Sequence, residues 1–170
     1  MQQLLRCLSM KGEKMKKKFK IITLSLLMAV VCTPLSKVKA LYKDTSYYDA
    51  ISWVYTYQAP YTSSYNCLGW ATGSMTFEWP VIWGEGATQS QVINYLNAKG
   101  YYVGTAPAIL TYNTKILAYG PSDNKITHFS KVSNKNVTAK WGSLERFSHG
   151  QHANPYYSTS DYGMARLTFN

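Results

Sequence analysis

Acidic side chains are scarce: the 170 residues hold eight Asp+Glu against 18 Lys+Arg, a formal net charge of +10. That imbalance would point to nucleic acid or an anionic membrane if it were spread over a folded surface. It is not. Residues 1–40 carry nine bases and one acid, Glu13, a net of +8, whereas residues 41–170 carry nine bases and seven acids, a net of +2. No Gly-rich phosphate loop and no basic-aromatic stripe runs through residues 41–170, so no nucleic-acid partner is expected. Long hydrophobic runs are missing too. The stretch Ile21–Val31 is eleven residues, well short of the roughly 20 that cross a bilayer.

Those first forty residues have an order of their own. A basic run, Lys14 to Lys20, precedes the apolar stretch, and Pro34 and Val38-Lys39-Ala40 follow it. This is the n-region, h-region and small-residue cleavage site of a secretory signal peptide. Residues 1–40 are therefore expected to be a leader cut near Ala40, with Met15 as an alternative start. A single exported domain, 41–170, would remain, with no stable membrane anchor. Cys32 does not make a lipoprotein site, because Val31 stands where a small residue is wanted.

Cysteine is sparse, and the cut makes it sparser. Cys7 and Cys32 leave with the leader, and Cys67 remains alone. A secreted domain with one cysteine has no disulfide framework. Its thiol is a buried small hydrophobe, an intermolecular partner or a reactive group.

Aromatic residues, by contrast, are plentiful, with 15 Tyr and 5 Trp. They bring large buried area to a small core and suit a groove for sugars or extended peptides. Asp49–Tyr57 is ambiguous between helix and strand. The pattern predicts a helix over Asn66–Thr76 with Asn66 as N-cap and Cys67 in its first turn. A capping box, Thr88-Gln-Ser-Gln91, opens a second helix that Gly100 stops. Tyr101–Thr105, Lys115–Tyr119, Ile126–Val132, Val137–Trp141 and Met164–Phe169 read as strands, with Ser133–Asn136 as a hairpin turn. Helices followed by antiparallel strands make an α+β domain.

A thiol at a helix start is favoured as thiolate by the helix dipole and free amides. Cys67 is in such a place, within Tyr65-Asn-Cys-Leu-Gly-Trp-Ala71, and its own amide would serve as one oxyanion donor. A cysteine hydrolase also needs an imidazole and a group to orient it. His128, at the start of a strand, is the candidate imidazole. His149, Glu145 and Asn154 are all candidates for the third group. Asn66, Trp70 and Trp141 are expected to contact substrate, Trp141 as a groove wall or core edge. No metal or cofactor is expected, because Cys67, His128, His149 and His152 contain one short ligand pair, His149-x-x-His152.

The segment Tyr-Asn-Cys-Leu-Gly-Trp-Ala resembles the nucleophile helix of the papain-like amidase and peptidase superfamily, with its NlpC-type and CHAP branches. More narrowly, the chain is similar to a group of secreted bacterial proteins. These share Asn-Cys-x-x-(Tyr/Trp)-Ala, then a hairpin with His and Lys-Trp-Gly, then a His and a Pro-Tyr segment. Asn66-Cys67, Trp70-Ala71, His128, Val132, Val137, Lys140-Trp-Gly142, His149 and Asn154-Pro-Tyr156 follow that order. The resemblance implies a papain-like fold, its nucleophile helix packed on an antiparallel sheet, with Cys67 as nucleophile and His128 as general base and acid. The substrate would be a peptide or a peptidoglycan-type amide. Two departures stand out: Asn66 and Leu68 replace the Asp and Ser of the NlpC-type pattern. Tyr61 stands where papain-type enzymes carry an oxyanion Gln. They motivate a second reading, a secreted non-catalytic binding module on the same scaffold, and a third, an antagonistic toxin or effector. Nothing in the sequence sets an oligomeric state.

Overall fold

The computed structural model describes residues 41–82, 86–104, 106 and 109–170. The expected leader, 1–40, lies outside them, as does Thr105 of one predicted strand. Among the described residues nine elements run in chain order: α1 Thr45–Asp49, β1 Thr56–Ala59, α2 Cys67–Thr72, α3 Gln89–Asn97, β2 Ile116–Gly120, β3 His128–Ser133, β4 Asn136–Lys140, β5 Arg146–Ser148 and β6 Met164–Phe169. The strands form one antiparallel sheet in the order β1-β5-β4-β3-β2-β6. The α+β class read from the sequence is the class observed.

Alternation along the strands gives the sheet two buried faces. Ile116, Ala118 and Phe129 face α2 and α3, where they pack with Leu68, Ala71, Val92 and Leu96. Leu117, Tyr119, Val132, Val137 and Ala139 face the other way, onto Tyr48, Trp141, Phe147 and Tyr156. One bulge corrects the phase on β6: Ala118 pairs with Leu167 but Tyr119 pairs with Ala165, so Arg166 is the extra residue. That insertion lets Ala165 and Leu167, two apart, serve opposite faces.

Local chemistry explains the element ends. Thr88 Oγ1 accepts from the Gln91 amide and Gln91 Oε1 from the Thr88 amide, the predicted capping box. Asn134 and Lys135 both adopt positive φ, 48° and 63°, which makes the β3–β4 connection the two-residue turn that matches strand twist. The helix that begins at Cys67 is shorter than predicted. Gly73 takes φ 82°, ending α2 at Thr72, and the chain turns back so that Met75 N donates to Gly69 O at 3.1 Å. Tyr101–Thr105 is not a strand where described; Val103 makes one isolated bridge to Phe169. Asp49–Tyr57, ambiguous in the sequence, holds the end of α1 and the start of β1.

A candidate active site in a notch between two strands

Asn66 holds the start of α2. Its Oδ1 accepts from the amides of Gly69 at 3.0 Å and Glu78 at 3.3 Å, and its Nδ2 donates to Glu78 O at 2.6 Å. The side chain is wholly buried and its bonds go to the fold. Asn66 thus ties the loop after α2 to the helix start, in place of the substrate contact expected for it.

Cys67 sits where β3 and β4 part. Their pairing runs from Ser133↔Asn136 to Lys131↔Thr138 and then stops, while β3 continues beside β2 and β4 beside β5. Continued by two more pairs, the register would set Phe129 opposite Lys140. Both act on the sulfur: the Phe129 amide by a hydrogen bond and the Lys140 ammonium by its charge draw the thiol pKa down, as do the Leu68 and Cys67 amides. Burial outweighs them. Cys67 is 4% exposed, and loss of solvent pushes its thiol from 9.0 up to about 12. The thiolate expected from the helix start is not the resting form.

Lys140 is buried beside it. Its ammonium donates to Gly142 O at 3.0 Å and to Leu144 O, and lies 5.6 Å from the centre of the Tyr65 ring. Desolvation brings its pKa down to about 8. Trp70 lines the same side of the sheet, its Nε1 donating to Thr138 Oγ1 at 3.1 Å under the Arg146 guanidinium.

His128 points to the opposite face. Its ring stacks on Tyr162, centroids 3.8 Å apart and nearly parallel at 7°, and its Nε2 is 3.0 Å from Tyr156 Oη. Tyr156 Oη is also 3.0 Å from His149 Nε2, and His149 Nδ1 is 2.7 Å from Val54 O. The protons of this chain follow from its end. A carbonyl only accepts, so His149 Nδ1 carries the hydrogen and its Nε2 accepts the Tyr156 hydroxyl proton. The Tyr156 oxygen is then left to accept from His128 Nε2–H. His128 Nδ1 is the ring nitrogen that keeps its lone pair. Burial drives the His128 pKa well below 6.5, with a smaller push from His149. It lowers His149 to about 4. Both rings are neutral at pH 7.

Of the candidates for a third group, His149 joins His128 through Tyr156. Glu145 is bound elsewhere, by the Tyr48 hydroxyl and the Tyr42 amide. Asn154 Oδ1 accepts from Ala165 N at 2.7 Å. The group hydrogen-bonded to His128 is Tyr156, which the sequence places inside a motif without a role, because a phenol is outside the usual carboxylate, amide and imidazole set. Trp141 is 1% exposed and packed among Tyr48, Phe147, His149, Tyr156 and Tyr162. It fills the core, so the substrate contact expected of it has no surface to act through. Among the described residues no hydrogen bond joins Cys67 Sγ to His128. The link between them runs through backbone and Tyr162: Phe129, next to His128, faces the sulfur, and the Cys67 charge is among the smaller influences that add to desolvation in raising the Tyr162 pKa. Among the described residues no group of three or more His, Cys, Asp or Glu could hold a metal ion.

The family described as "Domain of unknown function (DUF7689)" matches residues 56–170, a span that begins with β1 and includes Cys67, His128, His149 and Tyr156. The chain belongs to that family. No curated protein and no solved structure matches it. The DUF7689 span leaves α1 outside, although Tyr48 of α1 packs on Trp141 and Phe147.

Proposed function

We propose that this DUF7689 protein is a cysteine hydrolase of papain-like fold that cleaves amide bonds, with peptidoglycan peptides as the substrate class. The reading rests on one arrangement. His128 is held through Nε2 by Tyr156 and His149, which reserves Nδ1 for a proton, and it adjoins Phe129, whose amide is one of three that face the Cys67 sulfur. In the proposed reaction the His128 ring, which makes no hydrogen bond to Cys67 Sγ at rest, reaches it through the gap where β3 and β4 part. Nδ1 then takes the thiol proton and Cys67 Sγ attacks the carbonyl carbon. The protonated imidazole then gives that proton to the leaving amine, and water, deprotonated by His128, releases the acid and the free thiol. Tyr156 and His149 are positioning residues. Export on a leader spanning residues 1–40 is part of the proposal and suits a wall substrate.

Mass analysis of peptidoglycan fragments incubated with the protein tests it. Cleavage at an amide, abolished in Cys67→Ser and His128→Ala, is expected. Cleavage that survives Cys67→Ser overturns the mechanism. The burial of Cys67 favours a second reading, a binding module without chemistry. Alkylation by iodoacetamide separates the two: labelling of native Cys67 no faster than that of a free-cysteine peptide at pH 6 supports the module.

A further inference from the structure

A second surface, which Cys67 does not line, lies on the loop that carries Val54. Trp53 is 51% exposed, yet it is fixed. Its amide donates to Pro155 O at 3.2 Å and its Nε1 to Asn154 O at 3.1 Å. Ser52 Oγ donates to Pro155 O at 2.8 Å and the Tyr157 amide to Ile51 O at 3.0 Å. The ring's one polar atom is thus turned to the protein and its hydrocarbon surface to solvent. His152 packs against it at 70°, centroids 4.7 Å apart.

Trp53 stands between two open depressions and lines both. One, of about 540 Å³, has Gln151, His152 and Asn154 on its wall; the other, of about 550 Å³, has Ser52, Tyr55 and Tyr157. Each is of the size that small-molecule sites occupy, about 300–1,000 Å³. Their charged groups are one of each sign and are engaged: Asp49 accepts the Tyr55 hydroxyl at 2.6 Å, and Lys135 sits 4.5 Å over the Tyr112 ring. A polyanion finds no basic track here, and an acidic or basic peptide finds no paired field.

We infer that this surface binds a neutral pyranose polymer, with Trp53 stacked on one sugar and the neighbouring units seated in the two depressions. A pyranose presents a face of C–H bonds, positive at hydrogen, that matches the negative face of an aromatic ring. Its equatorial hydroxyls need donors and acceptors at the rim, which Gln151, the Asn154 amide group and the Tyr157 hydroxyl supply. Two depressions meeting at one ring fit a chain better than a single sugar. The inference does not depend on Cys67 or His128.

Titration of the full chain with the β-1,4-linked tetrasaccharides of N-acetylglucosamine and of glucose, read by intrinsic fluorescence and calorimetry, tests it. Saturable binding of at least one is expected, weakened about tenfold or more by Trp53→Ala and retained by Trp53→Phe and Cys67→Ser. Tyr157→Ala, on the wall of the second depression, should weaken it as well. Near-UV circular dichroism checks that the variants stay folded. Three results overturn the inference: neither sugar binds, Trp53→Ala binds as wild type does, or binding disappears when salt is raised.

Discussion

His149 is a buried base whose protonation the fold opposes, so acid should unfold this protein through it. Its pKa falls from 6.5 to about 4, chiefly by desolvation. The unfolded chain therefore takes up a proton in a range where the folded chain does not. The sign follows: the stability attributable to a neutral, buried His149 is fully present above pH 6.5 and is lost as pH falls towards 4. Each tenfold difference in proton affinity between the two states is worth about 1.4 kcal/mol, so the loss should reach about 2 kcal/mol at pH 5 and about 3 kcal/mol at pH 4. His128, whose pKa is lowered in the same way, adds to it. Urea unfolding at a series of pH values measures the effect directly. His149→Asn keeps a polar group near Val54 O and removes the titration. It should be less stable than wild type at pH 7 but lose about 3 kcal/mol less on going to pH 4. Equal losses in both proteins would refute the buried His149–Tyr156–His128 chain as the origin of acid sensitivity.

Two further substitutions test the parts that position the site. Gly69→Ala puts a Cβ 1.8 Å from Thr76 O, a backbone atom that cannot step aside without opening the loop after α2. A cost of about 3 kcal/mol or more is expected in chemical denaturation, with Cys67 newly reactive to thiol reagents. Tyr156→Phe leaves two buried imidazole nitrogens without their shared partner, a loss of about 1–3 kcal/mol for each. In a peptidoglycan-cleavage assay the same variant should lower kcat with little change in KM and shift the pH profile, because His128 is freed to change tautomer.

Much of this was legible beforehand, because it rests on local chemistry. Thr88-x-x-Gln91, the Ser133–Asn136 turn, the apolar run of β2 and the β-rich segments of β3 and β4 announce themselves within a few residues. The α1 helix and β5 escaped notice: Thr45–Asp49 and Arg146–Ser148 are too short to carry a period, and partners distant in sequence stabilise both. Strand alternation alone puts His128 and Phe129 on opposite faces. That the thiol would lie in a gap between strands was not legible, since the gap arises where β3 and β4 stop pairing, a property of the register between two segments. Lys140, which the sequence shows only as part of the Lys-Trp-Gly motif, acts on the sulfur by its charge for the same reason.

Desolvation is the largest influence on Cys67, and the groups that favour its thiolate are already in place around it. The thiol therefore needs no new base to become reactive; it needs solvent or substrate. Tyr162 is the side chain best placed to control that access. One face of its ring covers His128, and it also lines a depression of about 300 Å³ with Tyr47, Ala50, Ile51 and Asp161. Gly163 fixes its position, because a φ of 63° and a Cβ contact 2.4 Å from the Gly120 carbonyl exclude other residues there. Tyr162→Ala should join the depression to the His128 ring and wet the notch. The Cys67 pKa, read from the pH midpoint of iodoacetamide alkylation, should then fall by about one pH unit or more from about 12, as partial rehydration of a buried group allows. A midpoint that stays put, in a variant whose circular dichroism shows the native fold, would mean that the sulfur is sealed from the helix side and that Tyr162 is only packing. A midpoint that falls would make substrate entry and thiol activation one event.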